Sequence, residues 1–104
     1  DLKIILAHMG GGTWDQATAI AEAYPNAYFD CCEIIEWTGG TNAPTEEQFA
    51  QLIKDIGPER VIMGSDFPWY DLDHQIERIM ELPLLSQEEK EGMLGLNAER
   101  IMGL

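Results

Sequence analysis

Three short apolar runs punctuate the chain, and each leads into a polar or glycine-rich stretch and then a helical repeat. The runs are residues 3–7 (KIILA), 27–32 (AYFDCC) and 60–63 (RVIM). Short apolar runs bounded by turn-forming residues predict strands buried in a sheet. The first run ends at His8-Met9 and a flexible Gly10-Gly11-Gly12 loop. Thr13 is the expected N-cap of a helix whose period is Trp14, Ala17, Ile20, Ala21 and Tyr24, stopped by Pro25-Asn26. The second run fades through residues 33–37 into a loop over 38–44. Thr45 with Gln48 makes a capping box, and Phe49, Leu52, Ile53 and Ile56 form the apolar stripe of the helix it opens, closed by Gly57-Pro58. The third run enters Gly64-Ser65-Asp66 and a loop with Pro68, Trp69 and Tyr70. Asp71 or Asp73 caps a helix through Leu82 that is expected to bury Leu72, Ile76, Ile79 and Met80, with Pro83 ending it. Ser86 with Glu89 is a second capping box, opening a short helix through about residue 94, and Asn97 is the expected cap of the last turn, AERIMGL.

The order β-α-β-α-β-α-α predicts an α/β fold of right-handed βαβ units around a parallel sheet. Three units leave one sheet face and the edges bare, a surface that invites assembly. A flavodoxin-like or response-regulator-like domain would need more strands and a lysine at a strand end. The opening, Asp1-Leu2-Lys3, runs directly into a strand without an initiator Met or a signal-peptide pattern, as expected of a piece of something larger.

Composition narrows the function classes. Six Lys and Arg against nineteen Asp and Glu give a net charge of −13, which argues against nucleic acid and against an anionic membrane surface as partners. No apolar run approaches the roughly 20 residues of a membrane span. Most of the acids sit where exposed helix faces are expected. The two cysteines, Cys31 and Cys32, are adjacent and alternate faces on a strand, poorly placed to bridge each other. A reducing cytoplasmic setting and a role as small apolar residues are the expectation, with a soft-metal pair as the alternative.

The candidate chemistry lies at the strand ends. The first run ends on His8, the second on Asp30 or Glu33, and the third on Asp66. In parallel α/β folds, ligands bind outside the carboxyl ends of the strands, so these side chains are expected to share one site. Imidazole and carboxylate suit a divalent cation, which would lower the pKa of a bound water, with a neighbouring His or Asp handling the proton. His74, in the first turn of a helix beside Asp71 and Asp73, is expected to be solvated or capping.

The stretches KIILAHMGGG, NAYFDCC, GPERVIMGSDFPW and NAERIMGL together resemble the C-terminal part of the amidohydrolase-related metal-dependent hydrolases, the branch that includes the aminocarboxymuconate-semialdehyde decarboxylase-like enzymes. The resemblance covers nearly the whole chain, and GSDFP after a short apolar strand is its most specific part. It implies a partial (β/α)8 TIM barrel, the three C-terminal βα units with strands 6–8 parallel, as a single partial domain over residues 1–104. It implies that His8 serves in proton transfer and that Asp66 is a metal ligand and the partner of the attacking water. It implies a divalent metal, zinc foremost, and a small-molecule substrate. Trp69 and Tyr70 would line the pocket rim or pack beneath it.

A TIM barrel takes roughly 250 residues, and about 200 is a practical floor. With 104 residues, the resemblance implies a truncated chain, without the first-strand His-x-His or Glu-x-His motif and the fifth-strand histidine, and inactive alone. The activity expected of the parent family is hydrolysis by a metal-bound water. The alternatives are nonoxidative decarboxylation on the same scaffold and a catalytically silent, self-associating barrel fragment. The partner is then either the N-terminal half or further copies of the chain.

Overall fold

The computed structural model describes residues 2–104. Three parallel strands, β1 (Ile4–Leu6), β2 (Ala27–Asp30) and β3 (Val61–Ile62), form one sheet in the order β1-β2-β3. Ile4 pairs with Ala27 and Leu6 with Phe29; Phe29 pairs in turn with Val61 and Asp30 with Ile62. The helices are α1 (Ala17–Ala23), α2 (Ile34–Trp37), α3 (Glu46–Ile56), α4 (Leu72–Glu81), α5 (Gln87–Glu91) and α6 (Asn97–Met102). The expected α/β fold with parallel pairing is present.

Each strand is shorter than its apolar run, and each end has a local cause. β1 stops because His8 turns left-handed, at φ 57°. β2 stops because the Cys32 N–H donates to Asp30 Oδ1 at 2.9 Å. β3 stops because the Met63 N–H donates to the Met93 carbonyl at 3.0 Å.

Both capping boxes form. The Thr45 hydroxyl accepts from the Gln48 N–H at 3.1 Å and the Ser86 hydroxyl from the Glu89 N–H at 3.1 Å, each with the reciprocal side-chain bond. Phe49, Leu52, Ile53 and Ile56 are all buried, as their spacing predicts. They pack with Phe29, Val61, Ile34 and Ile35 in one core; burying such side chains contributes about 1.5–3 kcal/mol each.

Five expectations are corrected. Thr13 is not an N-cap: its hydroxyl donates to the Gly10 carbonyl at 2.8 Å, inside an irregular, tightly turned segment over Ala7–Gln16, and α1 starts only at Ala17. Tyr24 does not face the core; it lies past the helix end and is exposed. Residues 34–37 are helical, not a fading strand, because Ile34 and Ile35 both enter the core. Leu72 is exposed, since it opens α4 on the solvent side, and only Ile79 of that helix's apolar set is fully buried.

The fifth correction concerns Asn97. It does not cap a separate turn. α5 continues through one π-helical turn, Gly92–Leu96, into α6, and Asn97 lies buried inside this run. Its amide donates to the carbonyls of Pro58 (2.7 Å) and Val61 (2.8 Å), and Arg100 donates to the carbonyl of Glu59. A side chain at Gly92 would begin 2.8 Å from the Asn97 amide oxygen, so glycine leaves room for this clasp. Arg60 extends it. Its guanidinium donates to the carbonyls of Ala21 (2.9 Å), Tyr24 (2.7 Å) and Ala27 (2.8 and 3.0 Å), tying the end of α1 and the start of β2 to β3.

Among the strands, the exposed apolar side chains are on β1. Leu2, Ile4 and Ile5 are exposed, and a cavity of about 360 Å³ lined by Leu2, Ile4, Leu6, Ile20 and Tyr24 runs along that strand. Val61 and Ile62 at the opposite edge are buried. No helix among the described residues is long and apolar enough to cross a membrane.

Candidate metal centre

All three strands deliver a polar side chain at their carboxyl ends, and each does so from strained backbone. His8 has φ 57°, Glu33 φ 61° and Asp66 φ 54°. Positive φ at a residue that is not glycine costs on the order of 1 kcal/mol or more. Local contacts hold each one there. Met9, itself at φ 50°, buries its side chain completely and fixes the loop behind His8, while Gly10 and Gly11 continue the left-handed path without a Cβ. The Asp30–Cys32 bond turns the chain so that Glu33 precedes α2. The Asp66 carbonyl accepts from the Trp69 N–H at 2.9 Å, closing a turn around the cis Phe67–Pro68 bond.

These side chains converge. His8 Nε2 lies 3.1 Å from Glu33 Oε2. One donor atom from each of His8, Glu33 and Asp66 lies within 4.8 Å of the other two. The opposite face of the same imidazole meets a second group: His8 Nδ1 is 3.1 Å from Cys32 Sγ and 3.4 Å from the Cys32 carbonyl. His8, Asp30 and Cys32 also bring donor atoms within 4.8 Å of one another. Asp30 and Glu33 thus both bring a carboxylate oxygen near His8, each in its own cluster.

His8 and Glu33 are half-buried, while Asp66 is exposed beside a shallow cleft of about 320 Å³ lined by Glu33, Asp66, Trp69 and Tyr70. Trp69 is 78% exposed and stands at the rim, not beneath the site. The donor set of one imidazole and two carboxylates fits a hard or borderline divalent cation.

Neither cysteine is a poised nucleophile. Burial, reinforced by the charge of Asp30, pushes the Cys31 thiol up to about 12. Burial first, then the hydrogen bond to Asp30 and the charges of Asp30 and Asp66, pushes the Cys32 thiol up further. Both are free thiols held protonated at neutral pH. His74 lies apart from both clusters; its Nδ1 is 3.0 Å from Glu36 Oε1, an oxygen that also accepts from Gln75.

Sequence reasoning considered Cys32 as a small strand residue or as half of a soft-metal pair with Cys31, and missed its approach to His8 and Asp30 at the strand mouth. It also missed Arg60 and Asn97 as structural anchors; no local pattern reveals bonds that span 33 to 39 positions.

A family model described as amidohydrolase matches residues 1–104. The chain belongs to the amidohydrolase family. Solved structures share its fold. An uncharacterized TIM-barrel protein from Bordetella bronchiseptica superposes with a TM-score of 0.80 at 23% identity, over 99% of this chain and 34% of that one. A dihydroxybenzoic acid decarboxylase from Polaromonas sp. JS666, with bound manganese and the inhibitor 2-nitroresorcinol, gives 0.72 at 20% identity over 99% and 34%. An amidohydrolase from Burkholderia multivorans with bound zinc gives 0.68 at 20% identity over 98% and 44%. No curated protein matches the chain. The chain spans about a third of the length of the first of these structures, so it has the fold of part of a TIM-barrel protein.

Proposed function

We propose that the chain is the part of a metal-dependent amidohydrolase, strands 6–8 of its barrel, that supplies Asp66 as a metal ligand and His8 as the proton-transfer residue. The observation that carries this reading is the approach of His8, Glu33 and Asp66 donor atoms to within 4.8 Å of one another at the carboxyl end of a parallel sheet. Asp66 and Glu33 would hold the cation, with zinc the first choice. Once bound, the cation supplies Lewis acidity to an oxygen of substrate or water. His8, 3.1 Å from Glu33 through Nε2, moves the proton at that nitrogen, and Glu33 orients the ring. Trp69 and Tyr70 present aromatic surface beside the carboxylates to a small organic substrate. The exposed rings of Phe67 and Trp69 favour a second reading, nonoxidative decarboxylation of a carboxylated ring on the same residues.

The isolated chain is inactive in this account, because the exposed β1 edge needs a strand from elsewhere to close the site. Further strands of a longer chain or a second copy of this one would cover it. If self-association alone accounts for the chain, a homo-oligomer forms without a bound metal. The test is elemental analysis of protein eluted from a light-scattering sizing column, followed by assays on esters, lactones and aromatic acids. A stoichiometric divalent metal that is lost in Asp66→Asn supports the reading; carbon dioxide release instead of acid production selects the decarboxylase. A metal-free oligomer contradicts it.

A further inference from the structure

The His8 ring faces donors on both sides, and the proposed function uses only one of them. On the other side Cys32 Sγ lies 3.1 Å from His8 Nδ1, and an Asp30 carboxylate oxygen completes a trio within 4.8 Å. Nitrogen, sulfur and oxygen from three different side chains form neither a carboxylate cluster nor an isolated thiol. The backbone opposite makes room for them. A Cβ at Gly64 would begin 3.3 Å from the Cys32 Cβ and 3.7 Å from the Asp30 carboxylate, so the glycine lets β3 pass close to the pair. The Cys32 backbone N–H, 2.9 Å from Asp30 Oδ1, fixes the Asp30 carboxylate before any ligand arrives. His8 and Asp30 are half-buried, and Cys32 beside them is buried.

We propose that His8 Nδ1, Cys32 Sγ and Asp30 form a second cation site, selective for thiophilic divalent ions of the zinc and cadmium class. A thiolate with an imidazole selects softer ions than the carboxylate-rich side does. Three protein donors leave a position open, as in exchangeable sites. The thiol gives up its proton to the solvent as the cation takes its place, and no redox change is involved.

Cadmium chloride titrated into the 104-residue chain tests this by the thiolate-to-cadmium charge-transfer absorption in the ultraviolet. The band should saturate at one equivalent, persist in Cys31→Ser and in Asp66→Asn, vanish in Cys32→Ser, and require at least about tenfold more cadmium in Asp30→Asn. Its persistence in Asp66→Asn separates this site from the one proposed above. No band, or a band that survives Cys32→Ser, overturns the proposal. Cadmium-edge X-ray absorption on the unmutated protein provides a check independent of the variants' folding. One sulfur among nitrogen and oxygen ligands supports the site; two sulfurs would assign the ion to the Cys31–Cys32 pair and overturn it.

Discussion

The two ends of the sheet are built on opposite terms. At the amino end of β2 and β3, Arg60 and Asn97 spend every donor described above on a backbone carbonyl, with bonds of 2.7 to 3.0 Å and no strained residue among them. At the carboxyl end, three residues that follow the strands sit at positive φ, and their side chains converge on one another. Carbonyls left by short strands and helix ends are satisfied at one end, while polar groups are held in reserve at the other. Strain concentrated where side chains converge, over a firmly bonded base, is the arrangement expected when one end of a parallel sheet does chemistry and the other holds the fold.

That contrast can be broken from either side. The largest effect is expected from Arg60→Met, which removes the donor shared by the carbonyls of Ala21, Tyr24 and Ala27. Bonds from a charged donor contribute about 1.5–3 kcal/mol each, and the released carbonyls partly rehydrate, so a loss of about 3 kcal/mol in urea unfolding is expected. Asn97→Ala removes two neutral bonds at a buried position and should cost about 2 kcal/mol by the same measurement. Both variants should keep their cation affinity at temperatures where they remain folded.

Substitution at the other end should do the reverse. Asp66→Gly relieves a left-handed residue and separates clustered acids, so stability should rise by about 1 kcal/mol while cation binding falls sharply. Thermal unfolding and calorimetric cation titration on the same sample read both. The smallest effect is a pH dependence away from both ends. The Ser86 backbone, then Lys54 at 3.1 Å, hold the Glu89 carboxyl below its ordinary value. A depressed folded-state pKa gives a contribution present above the ordinary glutamate range and lost as pH falls through the folded value. Lys54→Met should slightly flatten the acid side of the stability profile, and the exposure of the pair keeps the change small.

The architecture was legible wherever the information is local. The capping boxes at Thr45 and Ser86 and the stripe Phe49, Leu52, Ile53, Ile56 need only neighbours three or four positions away. His8 and Asp66 were legible because an apolar strand ending on a polar residue already says where that residue goes in a parallel sheet. What escaped was set by distant partners. Residues 34–37 became helical because the core claims Ile34 and Ile35, and Asn97 left its expected cap because the carbonyls of Pro58 and Val61 needed a donor. The second face of His8 was hidden for the same reason, since Cys32 reaches it only after the Asp30 turn has formed.

The central claim is that the strand-end carboxylates exist to hold a cation. Crystals of the chain soaked in a manganese salt, measured for anomalous scattering, test it most directly. The account predicts an anomalous peak bonded to both Glu33 and Asp66 on the cleft side of His8. Manganese scattered over exposed helix acids, with no peak between these two residues, would contradict it.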